Sequence, residues 1–377
     1  MSRRKLKVAF VHEFLTQYGG AERVLEELLK LFPGSVIYTI IYDRNKMGRS
    51  FSDATIQTSP LQSFPLAVSR YKWYLPLMPW AIEQLELPSD LDLVISDSSA
   101  FAKGVRVPPG IPHLCYLHTP TRYLWSVRDL YVRDAPIPSW VRPFVGPVLD
   151  AQKRWDYLAA QRPDRYIANS RNVQRQLLEF YDRETADVLF PFVDIKRFQP
   201  AQEIGDYTLV LGRLEPIKRT DLVLEACARL GWPLKVAGTG SWLERYRRQY
   251  EDVPTIEFLG RVPDEALPDL YARAKVFVFP AQEDAGITPL EAMASGRPVL
   301  AYAQGGALES ITPGVSGEFF TKQTPESVMA GLTGHDWTRY TKARIQSQAE
   351  RFDVQAFDKH FLAIVDELVA EGRTHGH

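Results

Sequence analysis

A chain of 377 residues is longer than one hydrophobic core ordinarily serves, so we expect two domains with a cleft between them. Its 45% hydrophobic and 24% charged residues are typical of a soluble globular protein, and a net charge of -1 argues against nucleic acid as a partner. Only two cysteines occur, Cys115 and Cys227, both in apolar runs, which favours two reduced core thiols and a cytoplasmic location.

The N-terminal residues predict neither a signal peptide nor a membrane span. Basic residues at positions 3, 4, 5 and 7 surround the start of an apolar run, Val8 to Val11, which stops at His12 and Glu13. This run is far shorter than the apolar region of a signal peptide. No stretch of 18 apolar residues follows, so we expect a chain that starts here and does not cross a bilayer.

Short β-rich runs alternate with amphipathic helical segments, and this alternation predicts an α/β fold with parallel, doubly wound sheets. The strands predicted in the first half are Lys7 to Val11, Ser35 to Ile41, Leu91 to Ser96, Pro112 to Leu117 and Arg165 to Ala168. Those predicted in the second half are Tyr207 to Gly212, Leu234 to Gly238, Thr255 to Gly260, Lys275 to Pro280, Pro298 to Tyr302 and Gly317 to Phe320. Each half therefore has strands enough for a Rossmann-like sheet of its own.

The stretch Phe190 to Pro200 has proline near both ends and no periodicity, as is typical of a domain linker. We place an N-terminal domain at residues 1–190 and a C-terminal domain at residues 191–351. The remaining residues, 352–377, are predicted to form a helix that packs back on the N-terminal domain. Its apolar side chains recur at helical spacing, at Phe357, Phe361, Ile364 and Leu368.

One segment, residues 61–80, interrupts the alternation. It mixes two basic residues and three prolines with five aromatic residues: Phe64, Tyr71, Trp73, Tyr74 and Trp80. Aromatic and basic side chains together suit a membrane interface. An irregular lid or interdomain packing is the other interpretation, and the simpler one. The stretch Arg122 to Trp140 is similarly ambiguous, and its Arg122 is a candidate for acceptor binding.

Four residues near predicted strand ends of the first half are candidates for binding. Gly19 and Gly20 lie between the first strand and a helix, where backbone N–H groups could meet a phosphate or a sugar, although a tight turn alone would also explain two glycines. His118 follows a strand and is either a site residue or a structural histidine. His12 precedes Glu13 at another predicted strand end and is a candidate for acceptor contact.

Two cations leave the carboxyl end of a strand in the second half. Arg213 and Lys218 follow the predicted strand, and Thr220 or Asp221 is expected to cap the next helix. A guanidinium grips two phosphate oxygens while an ammonium acts as a mobile point charge, so the pair suits a diphosphate leaving group. A solvated charged loop is the alternative.

Two carboxylates, Glu283 and Glu291, lie eight residues apart beyond an apolar run, Val276 to Phe279. Pro289 is predicted as the first residue of a helix and Gly296 as its end. Both carboxylates would then lie at one junction between a strand and a helix, the edge at which open α/β sheets bind ligands.

These motifs resemble a known enzyme family. Gly212-Arg-Leu with Lys218, Glu283 with Glu291, Gly305-Gly306 and Gly314-Val-Ser-Gly317 are similar to the donor-binding domain of family 4 retaining glycosyltransferases, which have the GT-B fold. In the first half, Gly19-Gly20-Ala-Glu-Arg and the run from Tyr116 to Trp125 resemble bacterial polysaccharide and O-antigen transferases, particularly a mannosyltransferase-like subgroup. The resemblance implies two Rossmann-like domains facing a deep cleft.

The resemblance also implies roles for these residues. Arg213 and Lys218 would hold the donor diphosphate, Glu291 the ribose hydroxyls and Glu283 the donor sugar, with His118 beside the reacting sugar. The backbone amides of three further residues would contact sugar hydroxyls: Gly286, Ile287 and Thr288. Gly238, in an incomplete Gly-x-Gly fingerprint, and Arg261 would lie on the nucleotide side.

The resemblance implies a hexosyltransferase of polysaccharide biosynthesis that uses GDP-mannose, with UDP sugars as the alternative donor and a glycan or lipid-linked acceptor. A GT-B sugar-nucleotide epimerase, a phosphorylase and a non-catalytic nucleotide-sugar sensor are the competing interpretations. We expect no metal and no cofactor, because Arg213 and Lys218 already supply the charge that neutralises a diphosphate. His113 and Cys115 would also face away from His118 on a strand.

Overall fold

The computed structural model describes residues 6–48, 50–134 and 142–374. Trp140 and the basic residues 3–5 lie outside these ranges. The chain divides into two compact domains: the first runs to Leu189 and resumes at Asp358, and the second spans Phe190–Phe357. Each has its own parallel sheet and apolar core, so the prediction of two doubly wound α/β units is confirmed.

The sheet of the first domain has seven parallel strands in the order β3-β2-β1-β4-β5-β6-β7. They are β1 Val8–Leu15, β2 Val36–Tyr42, β3 Thr55–Thr58, β4 Leu93–Ser98, β5 His113–Leu117, β6 Arg165–Ala168 and β7 Asp187–Val188. The sheet of the second domain has six, in the order β10-β9-β8-β11-β12-β13. They are β8 Thr208–Leu211, β9 Leu234–Ala237, β10 Ile256–Gly260, β11 Val276–Phe279, β12 Val299–Tyr302 and β13 Gly317–Phe320.

Helices connect the strands, as parallel pairing requires. In the first domain they are α1 Gly20–Leu31, α2 Arg44–Met47, α3 Met78–Glu83, α4 Arg128–Asp134, α5 Arg142–Ala159 and α6 Arg171–Tyr181. The others are α7 Thr220–Leu230, α8 Leu243–Gln249, α9 Leu267–Ala272, α10 Ile287–Ala294, α11 Ala307–Ser310, α12 Pro325–Thr333, α13 Lys342–Ala349 and α14 Val354–Thr374. Among the described residues, no helix combines the length and the apolar character needed to cross a membrane.

The strand predictions fail at three places for a shared reason. β1 continues to Leu15 instead of stopping at Val11, because the polar side chains of His12 and Glu13 have buried partners and can lie inside a strand. β3 and β7 were not predicted. β3 is a mostly exposed edge strand and β7 has only two residues, so neither has the apolar run on which strand prediction depends.

Candidate functional site

In the first domain, strand register brings one aspartate between two histidines. β1 and β4 are neighbours with His12 opposite Asp97, and β5, which ends just before His118, lies on the other side of β4. Nδ1 of His12 lies 2.9 Å from one carboxylate oxygen of Asp97, and Nε2 of His118 lies 2.5 Å from the other. An ionised carboxylate only accepts, so both of these ring nitrogens carry a proton.

His12 is enclosed by two carboxylates. Its Nε2 lies 3.6 Å from Glu22 of α1. Burial alone lowers the pKa of His12, but its hydrogen bond to Asp97 and the nearby Glu22 carboxylate outweigh burial and raise that pKa well above 6.5. Burial likewise raises the pKa of Asp97, and the two histidines outweigh it and lower that pKa below its usual value. The predicted strand end at His12 is corrected: His12 lies inside β1 and is 2% exposed.

The raised pKa of His12 predicts a pH-dependent stability difference. A histidine whose pKa is raised by folding contributes stability that is complete below its unfolded value of about 6.5 and is lost as the pH rises through the folded value. The free energy of unfolding lost in His12→Gln should therefore be largest near about pH 6 and shrink towards alkaline pH. Urea denaturation across this range measures it, with the exposed His360→Gln as control. A loss that does not change with pH would contradict a charged His12.

Glu13, the next residue along β1, holds the loop that follows β4. One of its carboxylate oxygens accepts hydrogen bonds from the Ser98 hydroxyl at 3.0 Å and from three backbone N–H groups. These belong to Ser99 at 2.8 Å, Ala100 at 2.7 Å and Ala102 at 3.2 Å. Glu13 is 4% exposed, so a buried carboxylate is compensated by four donors and orders the loop beside Asp97.

A second buried network organises the segment that follows His118. Asp156 of α5 accepts from Lys103 at 2.6 Å, Thr121 at 2.7 Å, Trp125 Nε1 at 2.8 Å and Tyr181 at 2.7 Å. The side chains of Lys103 and Asp156 are both fully buried. Sequence reasoning missed this pair, because the two residues are 53 positions apart and neither lies in a recognisable motif.

The other first-domain candidates lie in ordinary local structures. Gly19 is the N-cap of α1 and Gly20 its first residue, so the unpaired N–H groups of the first turn are close to both glycines. A Cβ on Gly19 would lie 3.2 Å from a carboxylate oxygen of Glu22. Arg122 is half-buried in the turn after His118, and its carbonyl accepts from Trp125 at 3.3 Å.

In the second domain, Lys218 and Glu283 form an ion pair. β8 and β11 are adjacent, and the loops that follow them place Lys218 Nζ 2.5 Å from a carboxylate oxygen of Glu283. Both side chains remain partly exposed, at 21% and 26%. Arg213, on the same loop as Lys218, is exposed. The two motifs identified from sequence therefore meet at the carboxyl edge of the sheet.

The turn after Lys218 corrects the predicted helix cap. α7 begins at Thr220, and its N-cap is Arg219, which contributes no side-chain cap. Arg219 has a φ of 52°, the left-handed region that a side chain disfavours. Its guanidinium lies 3.2 Å from Asp221 and 3.1 Å from the side-chain oxygen of Gln323, contacts that hold the strained turn.

Two glycines fix the backbone at Glu283. Gly305 has a φ of 65°, and a Cβ there would lie 2.1 Å from the Glu283 carbonyl oxygen. Gly306 donates its N–H to that same oxygen at 2.9 Å. Only glycine allows two backbone segments to approach this closely. The Gly305-Gly306 motif therefore supports the loop that contains Glu283.

α10 starts two residues before the predicted position. Its N-cap is Gly286, with a φ of 92°, and Ile287 and Thr288 form its first turn ahead of Pro289. The first N–H groups of a helix have no partner within it, so this turn offers donors next to Glu283. Glu291, on the second turn, is 1% exposed and accepts from the Tyr271 hydroxyl at 2.8 Å, a partner that sequence reasoning missed.

Gly238 and Arg261 follow the neighbouring strands β9 and β10. A Cβ on Gly238 would lie 1.9 Å from the Gly212 carbonyl oxygen, so this glycine lets two loops pack together. Arg261 is exposed. Across residues 6–48, 50–134 and 142–374, no group of three or more His, Cys, Asp or Glu side chains is arranged to hold a metal ion.

The chain is similar to known glycosyltransferases in sequence and in fold. Residues 18–197 match the family described as Glycosyltransferase Family 4, and residues 193–333 match Glycosyl transferases group 1. One similar solved structure is that of Anabaena HepE in complex with UDP and glucose. The alignment covers 96% of this chain and 100% of HepE, with a TM-score of 0.71 and 18% sequence identity. This chain has the GT-B fold, and the two glycosyltransferase models together match residues 18–333. Sucrose-phosphate synthase from Thermosynechococcus elongatus is also similar in fold, with a TM-score of 0.74 and 16% sequence identity. The alignment covers 97% of this chain and 100% of the synthase.

The curated relatives of this GT-B chain match it over part of their length. D-inositol 3-phosphate glycosyltransferase of Geodermatophilus obscurus is 32% identical over 201 residues, which are 45% of this chain and 44% of the relative. The protein of that name from Salinispora tropica is 29% identical over 252 residues, which are 56% of this chain and 52% of the relative. The chain thus spans about half the length of the curated relatives it matches.

Proposed function

We propose that this chain transfers a hexose from a nucleotide diphosphate sugar to a hydroxyl group, with retention at the anomeric carbon. The observation that carries the proposal is the pair of Lys218 and Glu283, 2.5 Å apart at the N-terminal end of α10. A cation, a carboxylate and unpaired N–H groups at the carboxyl edge of a parallel sheet suit a charged leaving group attached to a polyhydroxylated ring.

Donor binding would redistribute the charges of this pair. A diphosphate offers Lys218 more negative charge than Glu283 does, so it would draw the ammonium away and leave the carboxylate to accept from sugar hydroxyls. Arg213 would grip the same diphosphate. The N–H groups of Ile287 and Thr288 would donate to the sugar, and Glu291 would accept from the ribose hydroxyls, as the family resemblance implies.

His118 would contact the reacting sugar, as the family resemblance implies. Asp97 holds Nε2 of His118, so Nδ1 is the ring nitrogen left to contact a hydroxyl or a developing positive charge. We assign Asp97 and His12 as positioning residues behind His118, because Asp97 lies between the two rings and holds Nε2 of His118 while His12 holds the other carboxylate oxygen.

The reaction would proceed by attack from the face of the leaving group. The acceptor oxygen bonds to the anomeric carbon as the bond from that carbon to the phosphate oxygen breaks, and the departing phosphate oxygen takes the acceptor's proton. Lys218 and Arg213 stabilise the charge that grows on the diphosphate. A covalent glycosyl group trapped on any side chain would exclude this path.

The donor we propose first is GDP-mannose, on the motif from His118 to Trp125 that resembles mannosyltransferases. UDP-glucose is the second candidate, because the structurally similar HepE was solved with UDP and glucose. For the acceptor we propose a glycan or lipid-linked glycan of polysaccharide biosynthesis, on the cytoplasmic side of the membrane. A phosphorylated polyol is the alternative acceptor that the names of the curated relatives favour.

Nucleotide binding tests the proposal most directly. Titration calorimetry of GDP, UDP and ADP in EDTA should show one preferred nucleotide. Glu291→Ala should raise the Kd of that nucleotide about tenfold or more, since a charged hydrogen-bond acceptor is removed. The exposed Glu257→Ala, in the same domain, is the matched control. No nucleotide bound by a folded protein would overturn the proposal. Conversion of the donor without an acceptor would instead identify an epimerase.

A further inference from the structure

A surface of the first domain collects exposed apolar side chains and cations. From residue 54 to residue 82 the sequence contains Arg70 and Lys72 but no carboxylate. Of the twelve large apolar side chains exposed in the described ranges, five lie in this stretch. They are Phe64 at 37%, Leu66 at 58%, Trp73 at 64%, Leu77 at 41% and Trp80 at 41%. So much apolar exposure within 17 positions is unusual for a surface that faces only water.

The segment that contains these exposed side chains is packed against the core of the first domain. Leu61, Ala67 and Met78 are buried in the core of the first domain, which anchors the segment at both ends and near its middle. Above them, the ring of Phe64 lies 5.9 Å from Tyr74 and 6.1 Å from Trp80. Phe64, Tyr74 and Trp80 therefore form one fixed aromatic cluster, which suits a moving lid less well.

Helix α5 extends the patch. Gln152 donates from its side chain to the Leu75 carbonyl at 2.5 Å, which places this face of α5 beside residues 71–77. Phe144 and Val148 precede Gln152 at steps of four residues and so share that face. Both are exposed, Phe144 at 66%. We call the combination of residues 64–80 with Phe144 and Val148 the apolar surface.

Leu66 is an exposed apolar residue whose backbone conformation is strained. It has a φ of 56°, a left-handed conformation in which a branched side chain is strained, yet the leucine projects into solvent. Glycine or asparagine would suit this backbone better, and folding gains little from an exposed leucine. An exposed apolar side chain on a strained backbone points to a role in binding.

The charges decide which partner fits. The Arg70 guanidinium lies 4.4 Å above the Trp73 ring, an arrangement of cation and aromatic side chain that suits the headgroup region of a bilayer. The absence of carboxylates removes repulsion from anionic lipids. A second copy of the chain would instead oppose cations to cations without a carboxylate to pair them. We propose that the apolar surface docks on a bilayer containing anionic lipids, a role beyond the donor chemistry proposed above.

Vesicle co-sedimentation of the full chain tests this docking. The chain should sediment with vesicles of phosphatidylcholine and phosphatidylglycerol more than with phosphatidylcholine alone, and less at high salt. Trp73→Ser with Phe144→Ser should lower the partition constant about tenfold or more. Arg70→Gln and Lys72→Gln should each lower it about fivefold on the anionic vesicles. Leu178→Ser, an exposed leucine of α6 outside the surface, is the matched control and should change nothing.

Three outcomes would overturn the proposal. They are no sedimentation with either vesicle, binding that survives Trp73→Ser with Phe144→Ser, and a dimer in sedimentation velocity that this double variant dissociates. The last would identify a second copy as the partner. The measurement needs no nucleotide sugar, so its failure is separate from failure of the calorimetric test of the proposed transferase.

Discussion

Lys218→Ala should lower kcat by about 10² to 10³, which corresponds to about 3 to 4 kcal/mol of transition-state stabilisation. In the proposed reaction, negative charge on the departing diphosphate grows as the glycosidic bond breaks, so the Lys218 ammonium would stabilise the transition state more than the bound donor. KM for the donor should change less than kcat. Release of nucleoside diphosphate under saturating donor and acceptor measures both constants.

The ion pair with Glu283 makes further variants informative. Lys218→Arg keeps the charge but changes its shape and reach, so it should recover only part of the rate. Glu283→Gln keeps Lys218 and removes the carboxylate, and it should affect the sugar more than the nucleotide. Lys235→Ala is the matched control, since this lysine also pairs with a glutamate, Glu257, at 3.5 Å in the same domain. A Lys218→Ala variant with kcat within about twofold of the native value would exclude the assigned role.

Asp156→Ala should destabilise the first domain by about 3 to 5 kcal/mol. The substitution leaves the Lys103 ammonium, which is fully buried, without its carboxylate. It also removes the acceptor of the Thr121, Trp125 and Tyr181 donors. Because these donors lie in or against the segment after His118, activity should fall together with stability. Urea denaturation followed by circular dichroism measures the loss.

Two controls separate the buried pair from helix α5 itself. Asp150→Ala removes an exposed carboxylate of the same helix, paired with Arg128 at 2.6 Å, and should cost at most about 1 kcal/mol. The combined change Lys103→Met with Asp156→Leu should cost less than Asp156→Ala alone, because no charge is left buried. An Asp156→Ala loss as small as the Asp150→Ala loss would show that Lys103 finds compensation elsewhere.

Local pattern was enough to predict the architecture and the second-domain motifs. Buried parallel strands are short apolar runs, and the loops that follow them contain the polar residues, so Lys218 and Glu283 could be assigned to neighbouring loops from their positions alone. Pattern was insufficient where a polar residue lies inside an element. Glu13 and His12 end the apolar run of β1 in sequence, yet both are buried within that strand.

The sequence by itself thus determined the fold class, the approximate strands and the residues at the carboxyl edge of the second sheet, because these follow from the order of apolar and polar residues along the chain. Only the tertiary structure decided which residues the buried charged side chains contact. Asp97 meets a histidine 85 positions away, and Asp156 meets a lysine 53 positions away. A buried charge is stable only beside a specific partner, and the sheet register that supplies that partner is a property of the folded chain.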